Sequence, residues 1–330
     1  EILYTNDESV KKLETTIING INEYSDYLNT DAKKKEFVNH IIRRLNIAVG
    51  INNTTPPSLS KEALDKLNEN NIFKQIDNII HSSEFKTLIT DPDSLNLPDG
   101  ELSAGDFCQG DLGDCGLVSA VVSIINTDTG KKLIKDSIES TGDSFVFKFK
   151  GLGITYEFTT DEFKEFVEKE KHSIGDTDIM LIEMAFTKLV QDHLDGKYPN
   201  ILDHSLFPVV SRNIEKGFPL LFEISPDTVV KALVPTNYAL KNNEVDLPKE
   251  ELFNQHPCVA TVSLPSGAKC TCTDGSTFSY VGNDADLDGE PDSHAFGVVG
   301  MTKDSISITN PWEPTTVYTM TWEEYSKLKG

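Results

Sequence analysis

A loop that turns directly into an apolar helix, at residues 106–125, constrains the fold more than any other stretch of the chain. Gly110 and Gly113 in the loop allow positive φ angles and a close approach of other backbone segments. We predict that Asp114 caps the helix at its N-terminus, which places Cys115 in the first turn. After the loop, apolar side chains at helical spacing predict a helix with one buried face: Leu117, Val118, Val121, Ile124 and Ile125.

Cys115 occupies a position that favours a reactive thiolate. The backbone N–H groups at a helix start and the positive end of the helix dipole both stabilise a negative charge on sulfur. A lone cysteine near a helix start is nevertheless more often a buried structural residue. A catalytic interpretation therefore needs a base and an orienting group elsewhere in the chain.

A histidine and an asparagine near the C-terminus supply these two groups. The sequence predicts two short strands, at residues 295–301 and 305–309, joined by a turn at 302–304. Antiparallel pairing about that turn brings Asn310 within a residue or two of the position opposite His294. A side-chain amide there can hold the imidazole in one orientation, so that the histidine can act as a base for a cysteine.

Residues 106–117 resemble the active-site signature of the calpain family of papain-like cysteine proteases, which reads approximately Asp-x-Cys-Gln-Gly-x-Leu-Gly-Asp-Cys-Trp-Leu. The chain departs from this pattern at Gly116, where the family has Trp, and the segment after Trp312 is shorter than in the family. The similarity covers about residues 96–330 and continues, in the same order, in three further blocks: a helix at 181–189, His294-Ala-Phe and Asn310-Pro-Trp.

The resemblance implies an α+β fold with a papain-like two-lobe core. A helical lobe at residues 96–204 carries the cysteine, and a β-rich lobe at 205–330 carries the histidine and the asparagine, with a cleft between the lobes. Local patterns agree with this division. They predict strands at 145–149 and 154–158 and helices at about 161–170 and 177–194 in the first lobe, then strands at 220–224 and 259–264 in the second.

Residues 1–95 precede the calpain-like region and predict an all-helical extension, since apolar residues recur there at intervals of three and four. Only the stretch leading to Pro56 and Pro57 breaks the pattern. Amphipathic helices carry no chemistry of their own. Three roles therefore stay open for the extension: an autoinhibitory pro-segment that covers the cleft, a partner-binding module and a scaffold.

The resemblance implies a cysteine endopeptidase that hydrolyses peptide bonds through a thioester acyl-enzyme. In this interpretation Cys115 attacks a protein or peptide substrate, His294 accepts and returns the proton, and Asn310 orients His294. Gln109 matches the family residue whose side-chain N–H completes the oxyanion hole. Two alternatives stay open: a catalytically weak calpain-like binding or regulatory protein, and a Cys-His acyltransferase.

Calcium is the cofactor that the resemblance implies, because Asp106 and Glu183 match two calcium ligands of the family. A second candidate calcium loop lies directly before His294. Position 12 of this loop is Ala295 rather than Glu, so the loop is not an EF-hand. The alternatives to calcium binding are a salt bridge for Glu183 and an acidic turn for the second loop. The second loop has carboxylates at EF-hand-like spacing directly before the histidine: Asp284, Asp286, Asp288 and Glu290.

The formal net charge of −23 limits the partners of the chain. Such an excess of carboxylates argues against binding to nucleic acid or to an anionic membrane surface, and it fits the binding of cations or of basic peptide segments. No run of about 18 apolar residues occurs, so the sequence predicts no membrane span.

Five cysteines, an odd number, do not indicate a disulfide framework, and we interpret Cys270 and Cys272 as structural residues. The chain begins at Glu1 rather than Met, which predicts a processed or truncated product. The compartment stays open, because the resemblance implies the cytoplasm whereas processing also fits secretion.

Overall fold

The computed structural model shows a mixed α+β protein. Seven helices and several sheets lie within the residues that it describes, and most of the paired strands are antiparallel. The α+β class predicted from the sequence is therefore confirmed. The described residues are 8–25, 28, 34, 37–38, 41–42, 52–53, 76–77, 80, 97–104, 107–110, 112–169, 172–198, 220–221, 224–235, 261–281 and 293–328.

Two compact units make up the chain, and neither is continuous in sequence. The first unit contains Glu1–Ser94, Leu264–His294 and Glu323–Gly330, and the second contains Leu95–Ser263 and Ala295–Trp322. The three-part division predicted from the sequence, with boundaries at 95 and 204, stays a prediction.

Helix α1 (Glu8–Glu23) belongs to the first unit, and its apolar face is buried at Leu13 and Ile17. Just after this helix, the Tyr24 hydroxyl donates a hydrogen bond of 2.8 Å to the carbonyl oxygen of Ile80. The helical character predicted for this part of the chain is confirmed at α1 and at residues 37–38, 41–42 and 76–77.

A three-stranded sheet in the first unit shows that the prediction of an all-helical extension is wrong. Strand β1 (Asn52–Asn53) pairs in parallel with β9 (Thr277–Val281), whose other edge pairs with the antiparallel strand β8 (Lys269–Thr271). Asparagine is a weak helix former, and two prolines follow closely in the sequence. The stretch therefore forms no helix at Asn52–Asn53 and pairs with the edge of β9 instead.

The second unit contains a sheet whose strands lie in chain order: β3 (Ile138–Ser140), β4 (Ser144–Phe149) and β5 (Ile154–Thr159). Its helices include α3 (Asp128–Lys135), α4 (Thr160–Lys169) and α5 (Thr177–Leu194). Strands β4 and β5 and the last two helices confirm the elements predicted for this region, whereas β3 and α3 were not predicted. No helix in the described part of the chain is both long and apolar enough to cross a lipid bilayer.

Alternating aromatic side chains bind that sheet to the core. Phe145, Phe147 and Phe149 of β4 are fully buried, as the period of two in a strand requires for one face. Phe149 packs edge-to-face against Phe186 of α5, with the ring centroids 4.9 Å apart. A short antiparallel pair, β2 (Phe107–Cys108) with β6 (Ile174–Gly175), joins the loop before Cys115 to the segment before α5.

A four-stranded sheet contains β7 (Thr261–Leu264), β10 (His294–Met301), β11 (Ser305–Asn310) and β12 (Glu313–Thr321). The strand order is β12-β11-β10-β7, and helix α7 (Trp322–Lys327) follows the sheet in the chain. The predicted hairpin is confirmed, because Gly297 pairs with Thr309 and the Thr302 N–H donates to the Ser305 carbonyl across the turn at 2.9 Å.

Helix α2 (Cys115–Ile125) begins at the predicted residue and packs directly on β10. Gly297 permits the close approach, since a Cβ at that position would lie 2.9 Å from the carbonyl oxygen of Ser119. One turn further along the helix, the Ser123 hydroxyl donates a hydrogen bond of 2.6 Å to the Val298 carbonyl. The helix and the strand therefore run in the same direction along their contact.

The strand predicted at residues 220–224 is wrong, because the described part of this stretch is a turn that leads into helix α6 (Pro226–Leu233). The physical reason is a local helix-start signal. The Ser225 side chain accepts a hydrogen bond from the backbone N–H of Thr228, and a proline in the first helical turn has the φ angle that a helix needs.

Candidate active site

Cys115 is the first residue of α2 and its side chain is partly exposed. The other three described cysteines, Cys108, Cys270 and Cys272, are buried, and none of the four forms a disulfide. Burial raises the pKa of Cys270 to about 12 and also raises that of Cys272, which disfavours a thiolate at both. Cys115 is therefore the described cysteine whose exposure and position at a helix N-terminus suit a nucleophile.

Asp114 directly precedes α2, but its side chain does not cap the helix as predicted. Its carbonyl oxygen accepts the first helical hydrogen bond, from the N–H of Leu117 at 2.8 Å, while its fully buried carboxyl group lies against that of Glu183. Burial raises the pKa of Asp114 to about 6, and burial and the neighbouring acid raise the pKa of Glu183 well above its usual value. Two buried carboxyl groups close together disfavour a second negative charge, which is a further reason why the pKa of Glu183 is raised.

Glu183, a predicted calcium ligand, is engaged by protein groups. Its carboxylate oxygens accept hydrogen bonds from the backbone N–H of Ser173, at 2.8 and 2.9 Å, and from the Ser173 hydroxyl at 2.8 Å. The described residues contain no group of three or more histidine, cysteine, aspartate or glutamate side chains that could hold a metal ion. The calcium site stays a prediction, since its other proposed ligands lie outside the described residues: Asp106, Asp284, Asp286, Asp288 and Glu290.

Gly116, where the family pattern has Trp, is a point of close packing between α2 and the segment that leads into α6. A Cβ at this position would lie 2.1 Å from the carbonyl oxygen of Ile224 and 3.2 Å from the ring of Pro226. A carbon atom that close to a backbone oxygen forces the two segments apart. The departure from the family pattern therefore has a packing reason.

Asn310 is the last residue of β11 and is fully buried. Its side-chain oxygen accepts a hydrogen bond of 3.0 Å from the backbone N–H of Trp312, and Asn310 pairs with Glu313 of β12 across the two-residue turn. The carboxamide is thus held in one orientation, which is the property that a histidine-orienting residue needs.

Thr309 supports this turn, and the sequence analysis missed it. The register between β11 and β12 shifts directly after Thr309. Its hydroxyl oxygen lies 2.7 Å from the carbonyl oxygen of Thr316 and 3.0 Å from that of Pro314, so that it bridges the irregular part of β12. The Asn310-Pro311 pair is the signal that could have indicated an irregular turn here.

The loop that contains Gln109 is bonded to the same turn. Its backbone N–H donates a hydrogen bond of 2.9 Å to the carbonyl oxygen of Pro311. The Gln109 side chain is 1% exposed, and its amide oxygen has no hydrogen-bond partner among the described residues. The loop before Cys115 is therefore fixed, within the second unit, to the turn that follows Asn310.

His294 is the first residue of β10 and the last residue of the first unit, and its side chain is 2% exposed. Its ring stacks on that of Tyr280 in β9, with the ring centroids 5.6 Å apart and the ring planes at 18°. Tyr280 was not among the residues predicted from the sequence. The alternating pattern of Thr277–Val281 was the available signal, but strand periodicity does not show which ring a residue will face.

The second unit thus contains Gln109, Cys115 and Asn310, three of the four predicted catalytic residues. Helix α2 and strand β10 run in the same direction, and Cys115 is at the start of the helix. The part of β10 that belongs to the second unit starts at Ala295. The fourth residue, His294, belongs to the first unit and directly precedes Ala295 in the chain.

The comparisons with known proteins gave no relative, because no family model, no curated protein and no solved structure matches this chain. The basis for a function is therefore the set of residues and contacts given above, together with the resemblance of the motifs.

Proposed function

We propose that this protein is a calpain-like cysteine endopeptidase whose substrates are protein or peptide segments. The hydrogen bond from the Gln109 N–H to the Pro311 carbonyl carries the proposal. It joins the loop before a partly exposed cysteine at a helix start to the turn beside a buried asparagine whose amide is held in place. A nucleophile and an orienting amide in one compact unit are two of the three parts that a Cys-His-Asn mechanism requires.

Each catalytic residue has a defined role in this mechanism. Cys115 attacks the scissile carbonyl, and the N-terminus of α2 favours its thiolate. His294 accepts the thiol proton, gives it to the leaving amine, and then activates the water that hydrolyses the thioester. Asn310 orients the imidazole, while Gln109 and the backbone N–H of Cys115 stabilise the oxyanion.

The proposal includes a papain-like core, and the packing of α2 on β10 supports it. The helix that begins with the nucleophile runs alongside the strand that begins with the base, in the same direction. Within the second unit, the pairing of β10 with β11 holds Asn310 at the end of β11.

The chemical steps above use no metal ion, and calcium enters the proposal only as a possible requirement for activity that the resemblance implies. Ser173 and Asp114 already occupy the surroundings of the Glu183 carboxyl group, so Glu183 does not present itself to a cation as it stands. Calcium binding at the carboxylates before His294 remains a separate proposal, and the labelling below, done with calcium and with a chelator, tests whether activity requires it.

The experiment is covalent labelling with a thiol-directed peptidyl epoxide, read as intact mass, with added calcium and with a chelator. Wild type and Cys270→Ala, which removes a buried cysteine, should each gain one adduct, and Cys115→Ala should gain none. Hydrolysis of a peptide substrate should follow the same order. An adduct on Cys115→Ala, or no adduct on wild type in either condition, would contradict the proposal and favour a binding protein.

The acyltransferase alternative differs in the fate of the thioester. A transferase passes the acyl group to an amine, whereas a peptidase passes it to water. Incubation with a glutamine-containing peptide and a labelled primary amine separates the two. We expect hydrolysis of peptide bonds without incorporation of the amine, and incorporation would assign the protein to the transferases instead.

A further inference from the structure

The ring of Tyr280 restricts the ring of His294. The two rings are nearly parallel, at 18°, with centroids 5.6 Å apart, which is the geometry of an offset stack. Tyr280 is 0% exposed and His294 is 2% exposed, so close packing surrounds the pair. The imidazole therefore cannot rotate out of its plane unless the tyrosine ring moves as well.

The backbone of Tyr280 is fixed by the turn before β8. The Tyr280 N–H donates a hydrogen bond of 2.8 Å to the Ala268 carbonyl, and the Tyr280 carbonyl accepts one of 2.8 Å from the Gly267 N–H. Both backbone groups of the residue are thus satisfied on one side of β9. The tyrosine ring projects from a strand position that has little freedom.

The opposite edge of β9 is paired with the N-terminal segment. Asn52 lies opposite Tyr280 and Asn53 lies opposite Val281 in the parallel pair of β1 with β9. Residues 1–94 also belong to the same compact unit as Tyr280 and His294. A strand paired on both edges is more rigid than one with an open edge.

We propose that Tyr280 is a positioning residue for His294, and that the pairing of β1 with β9 makes the N-terminal segment a support of the active-site histidine. This inference rests on the proposed function, in which His294 is the catalytic base. It gives the N-terminal segment a role opposite to that of an autoinhibitory pro-segment. Loosening β1 lowers activity in this scheme, whereas releasing an inhibitor raises it.

The test compares three single variants of the full chain. Tyr280→Phe keeps the stacked ring, and Tyr280→Leu removes it. Phe278→Leu is the matched control, because Phe278 is a fully buried aromatic residue of the same strand. We expect kcat of Tyr280→Leu to fall about 10-fold with KM nearly unchanged, and Tyr280→Phe and Phe278→Leu to stay within about 3-fold of wild type.

The ring-proton resonances of His294 give a reading that does not depend on activity. Stacking displaces these resonances in wild type and Tyr280→Phe, and the displacement should disappear in Tyr280→Leu. Unchanged resonances in Tyr280→Leu would overturn the stack. Wild-type kcat in Tyr280→Leu, or an equal loss in Phe278→Leu, would overturn the positioning role. A wild type that neither cleaves peptides nor labels at Cys115 would instead overturn the proposed function, while the resonances still report the stack.

The support of β9 by the N-terminal segment is tested by substitutions that remove backbone hydrogen-bond donors from β1. The double change Asn52→Pro with Asn53→Pro removes both N–H groups from the strand, and Asn52→Ala with Asn53→Ala keeps them. The proline pair should lower kcat towards that of Tyr280→Leu, and the alanine pair should not. Unchanged or increased kcat in the proline pair would overturn the supporting role, and an increase would favour inhibition by this segment.

Discussion

Gly116 and the carbonyl oxygen of Ile224 approach each other so closely that a Cβ on Gly116 would lie 2.1 Å from that oxygen. Both residues are buried, and the contact joins the residue after the proposed nucleophile to the segment that enters α6. Because the oxygen belongs to the backbone, no side-chain rotation can relieve the contact. A glycine at this position thus allows a direct contact between two backbone segments.

Gly116→Ala should destabilise the protein by about 2 kcal/mol or more, although alanine is the better helix former. The added methyl group must push α2 and the Ile224 segment apart. Urea unfolding measures the loss. Gly300→Ala is the matched control, because its Cβ would meet only the Ser307 side chain, at 3.2 Å. Equal stability of Gly116→Ala and wild type would show that the contact is absent in solution.

Asp178→Asn should remove a loss of stability that wild type suffers between about pH 4 and pH 7. Asp178 is buried and accepts hydrogen bonds of 2.9 Å from the N–H groups of Asp99 and Gly100, but its second oxygen has no partner among the described residues. Burial raises its pKa to about 7, so the folded state holds a proton that the unfolded state has released. Stability is therefore greatest below the ordinary pKa and is lost as the pH rises through about 7.

The size of this effect is about 4 kcal/mol at pH 8, measured as the difference in unfolding free energy between Asp178→Asn and wild type. Near pH 4 the two proteins should be equally stable. Asp143→Asn serves as the control, because the Asp143 side chain is exposed. A parallel decline of Asp178→Asn and wild type with pH would show that Asp178 is not the group responsible.

Glu183→Gln should stabilise the protein above about pH 6. The glutamine oxygen can still accept the Ser173 N–H, and its amide can donate to Asp114, whose carboxylate oxygens have no hydrogen-bond partner in the described part of the structure. Because the pKa of Glu183 is raised well above its usual value, wild type loses stability as the pH rises from that usual value through the raised one, and Glu183→Gln does not have this loss. We expect a gain of about 2 kcal/mol at pH 8 in urea unfolding.

Added calcium distinguishes this account from the alternative in which Glu183 is a calcium ligand. If Glu183 were a calcium ligand, calcium would stabilise wild type and would have no such effect on Glu183→Gln. Thermal unfolding with calcium and with a chelator measures both proteins together. Lower stability of Glu183→Gln at pH 8 with calcium present would contradict the present account of the acid pair.

Thr309→Val should cost about 1 to 3 kcal/mol, because valine keeps the shape but leaves the carbonyls of Thr316 and Pro314 without their hydroxyl partner. The turn that carries Asn310 should loosen, and labelling of Cys115 should slow. The control is Thr319→Val, whose hydroxyl pairs with Ser307 in a partly exposed position of the same sheet. Equal losses of stability and of labelling rate in the two variants would show that Thr309 has no special role in the turn.

Local patterns predicted the elements that carry the proposed chemistry. The start of α2 at Cys115, the β10–β11 hairpin and the strands at 144–149 and 154–159 all follow from periodicity and turn signals within a few residues of each position. The same reasoning failed at residues 220–224, where a serine cap and a proline outweighed an apolar run.

The contacts that shape the site are between residues far apart in the sequence, and only the tertiary structure decided them. Asp114 was expected to cap a helix, but its carboxyl group meets Glu183, and Asn52–Asn53 became a strand only because β9 offered an edge. Hydrophobic periodicity determines which face of an element is buried, but it contains no information about which segment covers that face. The sequence by itself therefore determined where Cys115 and Asn310 stand in their elements, and the packed chain decided what surrounds them.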